Sequence, residues 1–295
     1  MIDLSVLDRW RAEHPHSAGE RYAARRRRPL LADDGRLLIV AADHPARAAL
    51  GVGDDPFAMA DRRELVAKLA RALAMPGVDG VLATSDILDD LAVLGALDDR
   101  IVVGSLNRGG LRGAVFELDD RFTGPAVDDL ADTGIDMAKL LLRIDRDDPG
   151  TVRTLEASAA AVSRAAARRI PIMLEPFLSR RVDGRVVNDL TPDGVIESVA
   201  VASGIGASSA YSWLKLPVVD DMERVMRATT LPTLLLGGDG GASLDELLDG
   251  WRAALRLPGV RGLVAGRSLL YPADGDSDAA VAAAARAVHG EGGAR

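Results

Sequence analysis

Cysteine is missing from the 295-residue sequence, which excludes disulfide bonds, thiolate nucleophiles and cysteine-ligated metals. Histidine is scarce. Of four histidines only His44 lies near the end of a predicted strand, so a zinc site built from several histidines has no candidates. We interpret His44 as a loop or supporting residue and expect neither a metal nor a cofactor. Aromatic residues are only 3% of the chain, so aliphatic side chains must fill the core that a 48% hydrophobic content allows.

An excess of positive charge and long apolar runs are absent too. The net charge of -8 argues against a general nucleic-acid or acidic-membrane surface. No apolar run approaches the roughly 20 residues of a membrane span, and the N-terminus lacks an apolar signal core. We therefore expect a cytoplasmic protein with no nucleic-acid and no membrane partner.

A run of four arginines, residues 25–28, is the one candidate basic patch. The run is short, lacks interleaved aromatics, and lies at the end of a predicted N-terminal helix over residues 5–28, where cations favour the helix dipole. We interpret it as a solvated face.

Lysine is also rare, because only three of the 36 basic residues are lysines: Lys68, Lys139 and Lys215. Lys68 lies in an amphipathic helix pattern and is expected on the surface. Lys139 and Lys215 lie inside apolar runs, where an ammonium is costly to bury. Arginine cannot lose its proton in a protein, whereas a desolvated lysine can become a neutral nucleophile. The sequence therefore predicts amine chemistry.

Apolar strand patterns alternate with helical patterns along the whole chain. Eight such units predict a closed (β/α)₈ barrel, a single domain over residues 1–295 with an N-terminal helical extension over residues 1–35. An open doubly wound sheet is the alternative, which the lack of a Gly-x-Gly-x-x-Gly motif after the first strand disfavours. The predicted strands are 36–45, 77–84, 100–104, 135–144, 170–176, 211–216, 231–236 and 260–267, and the helices after the first are 61–75, 86–94, 127–133, 151–168, 192–202, 220–228, 244–255 and 278–288.

Charged residues lie on or at the ends of four predicted strands: Asp43, Lys139, Glu175 and Lys215. Active sites of such barrels lie at the carboxyl ends of the strands. With a strand period of two, each charge shares a face with apolar residues that would point into the barrel. A buried ion-pair network without chemistry is the alternative, although such pairs stabilise weakly. We favour a catalytic cluster.

Glycine-rich turns follow the seventh and eighth strands, the common phosphate site of this fold. Gly238 and Asp239 lie in the first turn, and Gly266 and Arg267 in the second. Tight connections alone could explain these glycines. A long loop over residues 105–125 also predicts a functional segment, and its Asn107 and Arg108 are candidate substrate ligands.

The stretches 134–142, 171–176, 213–218 and 262–267 resemble class I aldolases of the superfamily that contains tagatose-bisphosphate, deoxyribose-phosphate and bacterial fructose-bisphosphate aldolases. The resemblance covers the second half of the barrel well and the first half only through Asp43. It implies that Lys215 forms the Schiff base, Lys139 is its cationic neighbour, Glu175 transfers protons and Asp43 holds substrate hydroxyls. It further points to an actinobacterial branch associated with myo-inositol catabolism.

We therefore expect a lyase that cleaves a phosphorylated keto-sugar or keto-sugar acid through an iminium. The resemblance favours 2-deoxy-5-keto-6-phosphogluconate, cleaved to dihydroxyacetone phosphate and malonate semialdehyde. Cleavage of tagatose or fructose 1,6-bisphosphate, or of deoxyribose phosphate, is the alternative within the class. A barrel that only binds a phosphorylated metabolite is the alternative outside it. We also expect a homo-oligomer.

Overall fold

Eight runs of aliphatic residues form parallel strands that close into a barrel, as predicted. The structure is a computed structural model that describes residues 3–31, 33–107, 110–238 and 243–290. The first and last strands pair with each other, and β4 pairs with β5, so the sheet has no break. The barrel strands are β1 (Leu37–Ala42), β2 (Gly80–Ala83), β3 (Ile101–Ser105), β4 (Met137–Ile144), β5 (Ile172–Val182), β7 (Ser212–Leu216), β8 (Thr233–Leu236) and β9 (Val260–Ala265), with the short β6 (Arg185–Asn188) outside the barrel.

Helices surround the strands, and several of them begin at a residue whose side chain caps the first turn. The side chains of Asp61, Thr191 and Ser243 each accept a backbone N–H bond three residues on. Among the described residues no helix is both long and apolar enough to cross a membrane. The helices are α1 (Trp10–Glu13), α2 (Ser17–Ala24), α3 (Arg62–Ala74), α4 (Ser85–Val93), α5 (Val127–Thr133), α6 (Gly150–Arg168), α7 (Pro192–Ser203), α8 (Met222–Arg227), α9 (Leu244–Ala254), α10 (Arg267–Leu270) and α11 (Ser277–His289), with 3₁₀ turns at Leu4–Asp8 and Pro45–Arg47.

The N-terminal segment is not one helix, so the prediction of a helix over residues 5–28 is wrong. A 3₁₀ turn and two short helices replace it, and the second break falls at Pro15. Proline has no N–H to donate and disfavours helical backbone in the residue before it. His14 accordingly leaves the helical region, with φ -140° and ψ 57°.

Alternate residues of the strands fill the barrel interior. One buried cluster joins the inward side chains of all eight barrel strands, and Leu30 and Leu31 pack against it. Met137, Met173 and Trp213 belong to this cluster, so the face they share with Lys139, Glu175 and Lys215 points inward. The predicted direction of the charged side chains is confirmed.

The arginine run at residues 25–28 joins the N-terminal segment to the barrel, and only part of it faces solvent. Arg25 is buried and donates hydrogen bonds to the carbonyls of Arg100 and Gly134 and to Asp136, at 2.7–3.0 Å. Arg27 also pairs with Asp136. Interpreting this run as a solvated face is therefore wrong for Arg25. The aspartates that pair with this run, such as Asp99 and Asp136, lie in the sequence just before the strands β3 and β4.

The fifth strand is longer than predicted and continues into a hairpin. It runs through Val182, turns at Asp183 and Gly184, and pairs antiparallel with β6. Both turn residues have positive φ, 50° and 77°, as a two-residue type I′ turn requires. The Asp-Gly pair between β-forming residues is the sequence signal for this hairpin.

Candidate active site

Four charged side chains meet inside the barrel mouth. Asp43 follows β1, Lys139 lies on β4, Glu175 on β5 and Lys215 on β7, and all four are buried. Each shares the inward face of its strand, extended by one residue for Asp43, with apolar residues of the interior cluster, so the sequence pattern itself directs the four charges to one place.

The four groups form one chain of ion pairs. Lys139 Nζ lies 2.8 Å from Asp43 Oδ2 and 2.7 Å from Glu175 Oε2, and Lys215 Nζ lies 2.8 Å from Glu175 Oε1. Glu175 therefore bridges the two ammonium groups with its two oxygens. Desolvation of four charges is costly, and alternating signs offset that cost.

The carboxylates stay ionised in this chain. Burial alone would raise the pKa of Glu175, but the ammonium groups of Lys139 and Lys215 outweigh it and bring the pKa to about 2. Burial also opposes ionisation of Asp43, yet the adjacent Lys139 holds the pKa of Asp43 well below its ordinary value.

The two lysines differ in how well their charge is compensated. Burial lowers the pKa of Lys139, but the carboxylates of Asp43 and Glu175 more than offset this, so its pKa is raised. Among the described residues, Glu175 is the one ion-pair partner of Lys215. Burial, reinforced by the charge of Lys139, therefore keeps the pKa of Lys215 below its ordinary value. Lys215 is the lysine that more easily gives a neutral amine.

The third lysine lies outside this cluster. Lys68 donates to the Leu270 carbonyl at 2.9 Å, pairs with Glu64 and lies 4.0 Å from the ring centroid of Tyr271. Its side chain is only 14% exposed, so the expectation of a solvated surface residue is wrong. The polar end of the side chain anchors α3 to α10.

The predicted phosphate residues line a cavity above Lys215. Gly238, Gly266 and Arg267 all lie in its wall, and Arg267 is buried. Gly238 has a φ of 72°, and a Cβ on Gly266 would lie 2.1 Å from the Ala41 carbonyl oxygen, so both positions require glycine. Asp239 lies outside the described residues.

Asn107 does not point to this cavity. Its amide nitrogen donates to Asp120 Oδ2 at 2.8 Å and to the Leu141 carbonyl at 2.7 Å, and its amide oxygen accepts from the Leu141 N–H at 2.8 Å. The side chain thus fastens the loop after β3 to β4, and its geometry gives no support to a role as substrate ligand. Arg108 lies outside the described residues.

Several residues of the cavity wall were not predicted. His44, Arg47 and Arg143 line it. Burial lowers the pKa of His44 well below its usual range, so its imidazole is neutral at pH 7. Ser268 lies behind Gly237, with its buried hydroxyl hydrogen-bonded to no described group. For Arg143 a signal existed, because it shares the inward face of β4 with Lys139.

Within the described part of the chain, no group of three or more histidine, aspartate or glutamate side chains is arranged to hold a metal ion.

Solved structures similar to this chain include a close relative and more distant ones. Cgl0159 from Corynebacterium glutamicum is 62% identical, with 96% of each chain covered and a TM-score of 0.94. An archaeal fructose-1,6-bisphosphate aldolase, whose catalytic lysine carries a carbinolamine intermediate of the substrate, is 20% identical over 92% of this chain and 99% of its own, with a TM-score of 0.64. A fructose-bisphosphate aldolase from Slackia heliotrinireducens is 15% identical over 86% and 81%, with a TM-score of 0.62. At this identity, the two aldolases show a shared fold alone.

No curated protein matches the chain. The Cgl0159-like family matches residues 35–285, most of the sequence and the whole barrel. With this match and the 62% identity to the Corynebacterium protein, the chain belongs to the Cgl0159-like family.

Proposed function

We propose that the protein is a class I aldolase in which Lys215 is the nucleophile. One observation carries this assignment: two buried lysines share Glu175, but within the described part of the chain only Lys139 has a second carboxylate partner. Lys139 is thereby kept charged, while the pKa of Lys215 falls. A barrel that only binds an anion would not need an amine poised in this way.

The reaction uses Lys215 as an electron sink. Its neutral amine attacks the substrate ketone and water leaves, which forms an iminium. A base removes the proton of the hydroxyl β to that carbon, the carbon–carbon bond breaks, and its electron pair moves into the iminium to give an enamine. The aldehyde product leaves, the enamine is protonated at carbon, and water hydrolyses the resulting iminium to restore Lys215.

Glu175 moves the protons. Its carboxylate contacts Lys215 directly, and the ammonium groups of Lys139 and Lys215 both lower the pKa of Glu175. When Lys215 is uncharged during the reaction, one of these two effects is lost, so Glu175 becomes a stronger base. Lys139 remains the fixed cation, and Asp43, paired with it, orients substrate hydroxyls. The neutral imidazole of His44 offers a further polar contact at the cavity wall.

Arg267 and the backbone at Gly238 and Gly266 hold the substrate phosphate. Arginine suits phosphate because its planar donors match two oxygens at once. The preferred substrate is a phosphorylated keto-sugar acid, 2-deoxy-5-keto-6-phosphogluconate, which would give dihydroxyacetone phosphate and malonate semialdehyde. The archaeal aldolase of similar fold supports the chemistry, since its substrate is bound covalently to a lysine.

Deuterium exchange tests this proposal without knowledge of the aldehyde product. Dihydroxyacetone phosphate, incubated with the protein in D₂O, should gain deuterium at its hydroxymethyl carbon, because the enamine is protonated from solvent. Lys215→Arg should abolish the exchange, whereas Lys68→Arg, the control at the remaining lysine, should retain it. An absence of exchange in the wild type, with dihydroxyacetone phosphate still bound, would instead favour a barrel that only binds phosphorylated metabolites.

A further inference from the structure

A second cavity, which we call the outer cavity, lies beyond the lysine site. It encloses about 750 Å³ and shares Arg47, Arg143, Asn188 and Arg267 with the cavity above Lys215. Because the walls are shared, a ligand bound at Lys215 can extend into the outer cavity.

Arginine dominates the wall of the outer cavity. Five arginines line it, Arg47, Arg112, Arg143, Arg185 and Arg267, against two carboxylates, Asp54 and Glu117. Arginine stays charged under all relevant conditions, so this wall keeps an excess of positive charge in a protein whose net charge is -8. Such a concentration of cations attracts an anion.

Arg143 is one of two buried arginines in this wall. It is 8% exposed and its Nη1 donates to Glu117 Oε1 at 2.6 Å, while Glu117 Oε2 accepts from the Gly113 N–H. The other terminal nitrogen, Nη2, is buried and has no hydrogen-bond partner among the described residues. Burying a donor of a charged group without an acceptor is costly. Nη2 of Arg143 is therefore suited to donate a hydrogen bond to a bound ligand.

Arg47 and Arg112 add positive charge to the same cavity wall as Arg143. The Arg112 N–H donates to the Arg47 carbonyl at 3.0 Å, so the loops after β1 and β3 meet at the outer cavity. Neither guanidinium forms an ion pair with a described residue. Burial lowers the pKa of Arg143, Glu117 opposes this effect, and the nearby charge of Arg47 lowers the pKa further.

We propose that Arg143, Arg47 and Arg112 bind a second anionic group of the substrate, distinct from the phosphate assigned to Arg267. The inference rests on the proposed aldolase function and narrows it to substrates that carry a further carboxylate or phosphate besides that phosphate. In the synthetic direction, the aldehyde that condenses with dihydroxyacetone phosphate therefore carries a carboxylate or a phosphate.

Acceptor selectivity in this condensation tests the inference. Malonate semialdehyde is compared with propanal, and glyceraldehyde 3-phosphate with glyceraldehyde, so that each anionic aldehyde has a neutral counterpart. The wild type should prefer the anionic member of at least one pair, and the preferred pair distinguishes carboxylate from phosphate. Loss of one charge-assisted contact should lower the ratio of kcat/KM, anionic over neutral, by about tenfold to a hundredfold in Arg143→Gln and about tenfold in Arg112→Gln.

The choice of variants separates a loss of anion selectivity from a loss of folding. Arg143→Gln leaves Glu117 buried without its cation and can fail to fold, whereas Arg112 is exposed and its substitution should not affect folding. Arg256→Gln, an exposed arginine beyond α9, should leave the selectivity ratio unchanged. Two results overturn the inference if deuterium exchange into dihydroxyacetone phosphate persists. In the first, the wild type condenses both members of each aldehyde pair equally well. In the second, the ratio of kcat/KM, anionic over neutral, is the same in Arg112→Gln as in the wild type. Loss of that exchange in the wild type overturns the aldolase proposal and this inference together.

Discussion

At the scale of the residue, one additional carboxylate separates two otherwise similar lysines. Both are buried, both contact Glu175, and only Lys139 also reaches Asp43. Because a pKa reflects the balance of desolvation and neighbouring charge, this difference gives the two amines opposite shifts. This difference distinguishes the proposed fixed cation, Lys139, from the proposed nucleophile, Lys215, without any difference in residue type.

Replacement of Lys139 should shift the pH dependence of Lys215. Lys139→Met removes a positive charge that opposes protonation of Lys215 and leaves Glu175 to pair with Lys215 alone. The pKa of Lys215 should rise, so the pH–rate profile of deuterium exchange should move to higher pH. Each unit of upward shift lowers the neutral-amine fraction at pH 7 about tenfold. A profile that stays in place or moves to lower pH would contradict the assigned roles.

Steady-state kinetics should separate phosphate binding from chemistry. Arg267→Ala removes a charge-assisted contact worth about 1.5–3 kcal/mol, so KM for the phosphorylated substrate should rise roughly tenfold to a hundredfold with kcat little changed. Glu175→Gln should do the reverse, lowering kcat by about 10²–10⁴ with little change in ground-state binding. An unchanged KM in Arg267→Ala would mean that the phosphate binds elsewhere.

At the scale of the element, the period of two along a strand predicted which side chains point into the barrel, because this direction depends on local sequence alone. The inward positions of β1, β4, β5 and β7 follow from a period of two, and the cluster of Asp43, Lys139, Glu175 and Lys215 follows from them. The loop after β3 could not be predicted in this way. Its course depends on contacts between residues far apart in sequence, such as the bond of Asn107 to Leu141 on β4.

Removal of the Asn107 amide should therefore affect stability before binding. Asn107→Ala leaves the Leu141 N–H, the Leu141 carbonyl and an oxygen of Asp120 without this partner. The free energy of unfolding, measured by urea denaturation, should fall by about 1–3 kcal/mol. Unchanged stability with a raised KM would restore Asn107 as a substrate ligand.

At the scale of the whole molecule, the number and alternation of elements predicted the closed barrel, but not how its amino-terminal end is covered. The residues that follow α2 reach that end, where Leu30 and Leu31 pack beneath the interior cluster. Arg25 bonds there to groups next to β3 and β4. A run of arginines has no periodicity that reveals its buried member, so its role depended on the tertiary structure.

The arginine run should therefore show unequal effects on stability. Arg25→Ala removes one of the two arginines that pair with the buried carboxylate of Asp136 and leaves the Arg100 and Gly134 carbonyls without this donor, so the free energy of unfolding should fall by about 1–3 kcal/mol in urea denaturation. Arg26, whose side chain is 68% exposed beside Asp98 and Asp99, is the matched control. Arg26→Ala should unfold at the same urea concentration as the wild type. Equal losses in both variants would mean that the run acts through overall charge.

Borohydride reduction tests the covalent role of Lys215 most directly. Reduction in the presence of dihydroxyacetone phosphate should add one stable ligand mass to the intact chain, and peptide mapping should locate it on Lys215. The adduct should persist in Lys68→Arg and disappear in Lys215→Arg. An adduct on Lys139 would reverse the assigned roles of the two lysines, and the absence of any adduct under conditions where the ketone binds would contradict a Schiff-base mechanism.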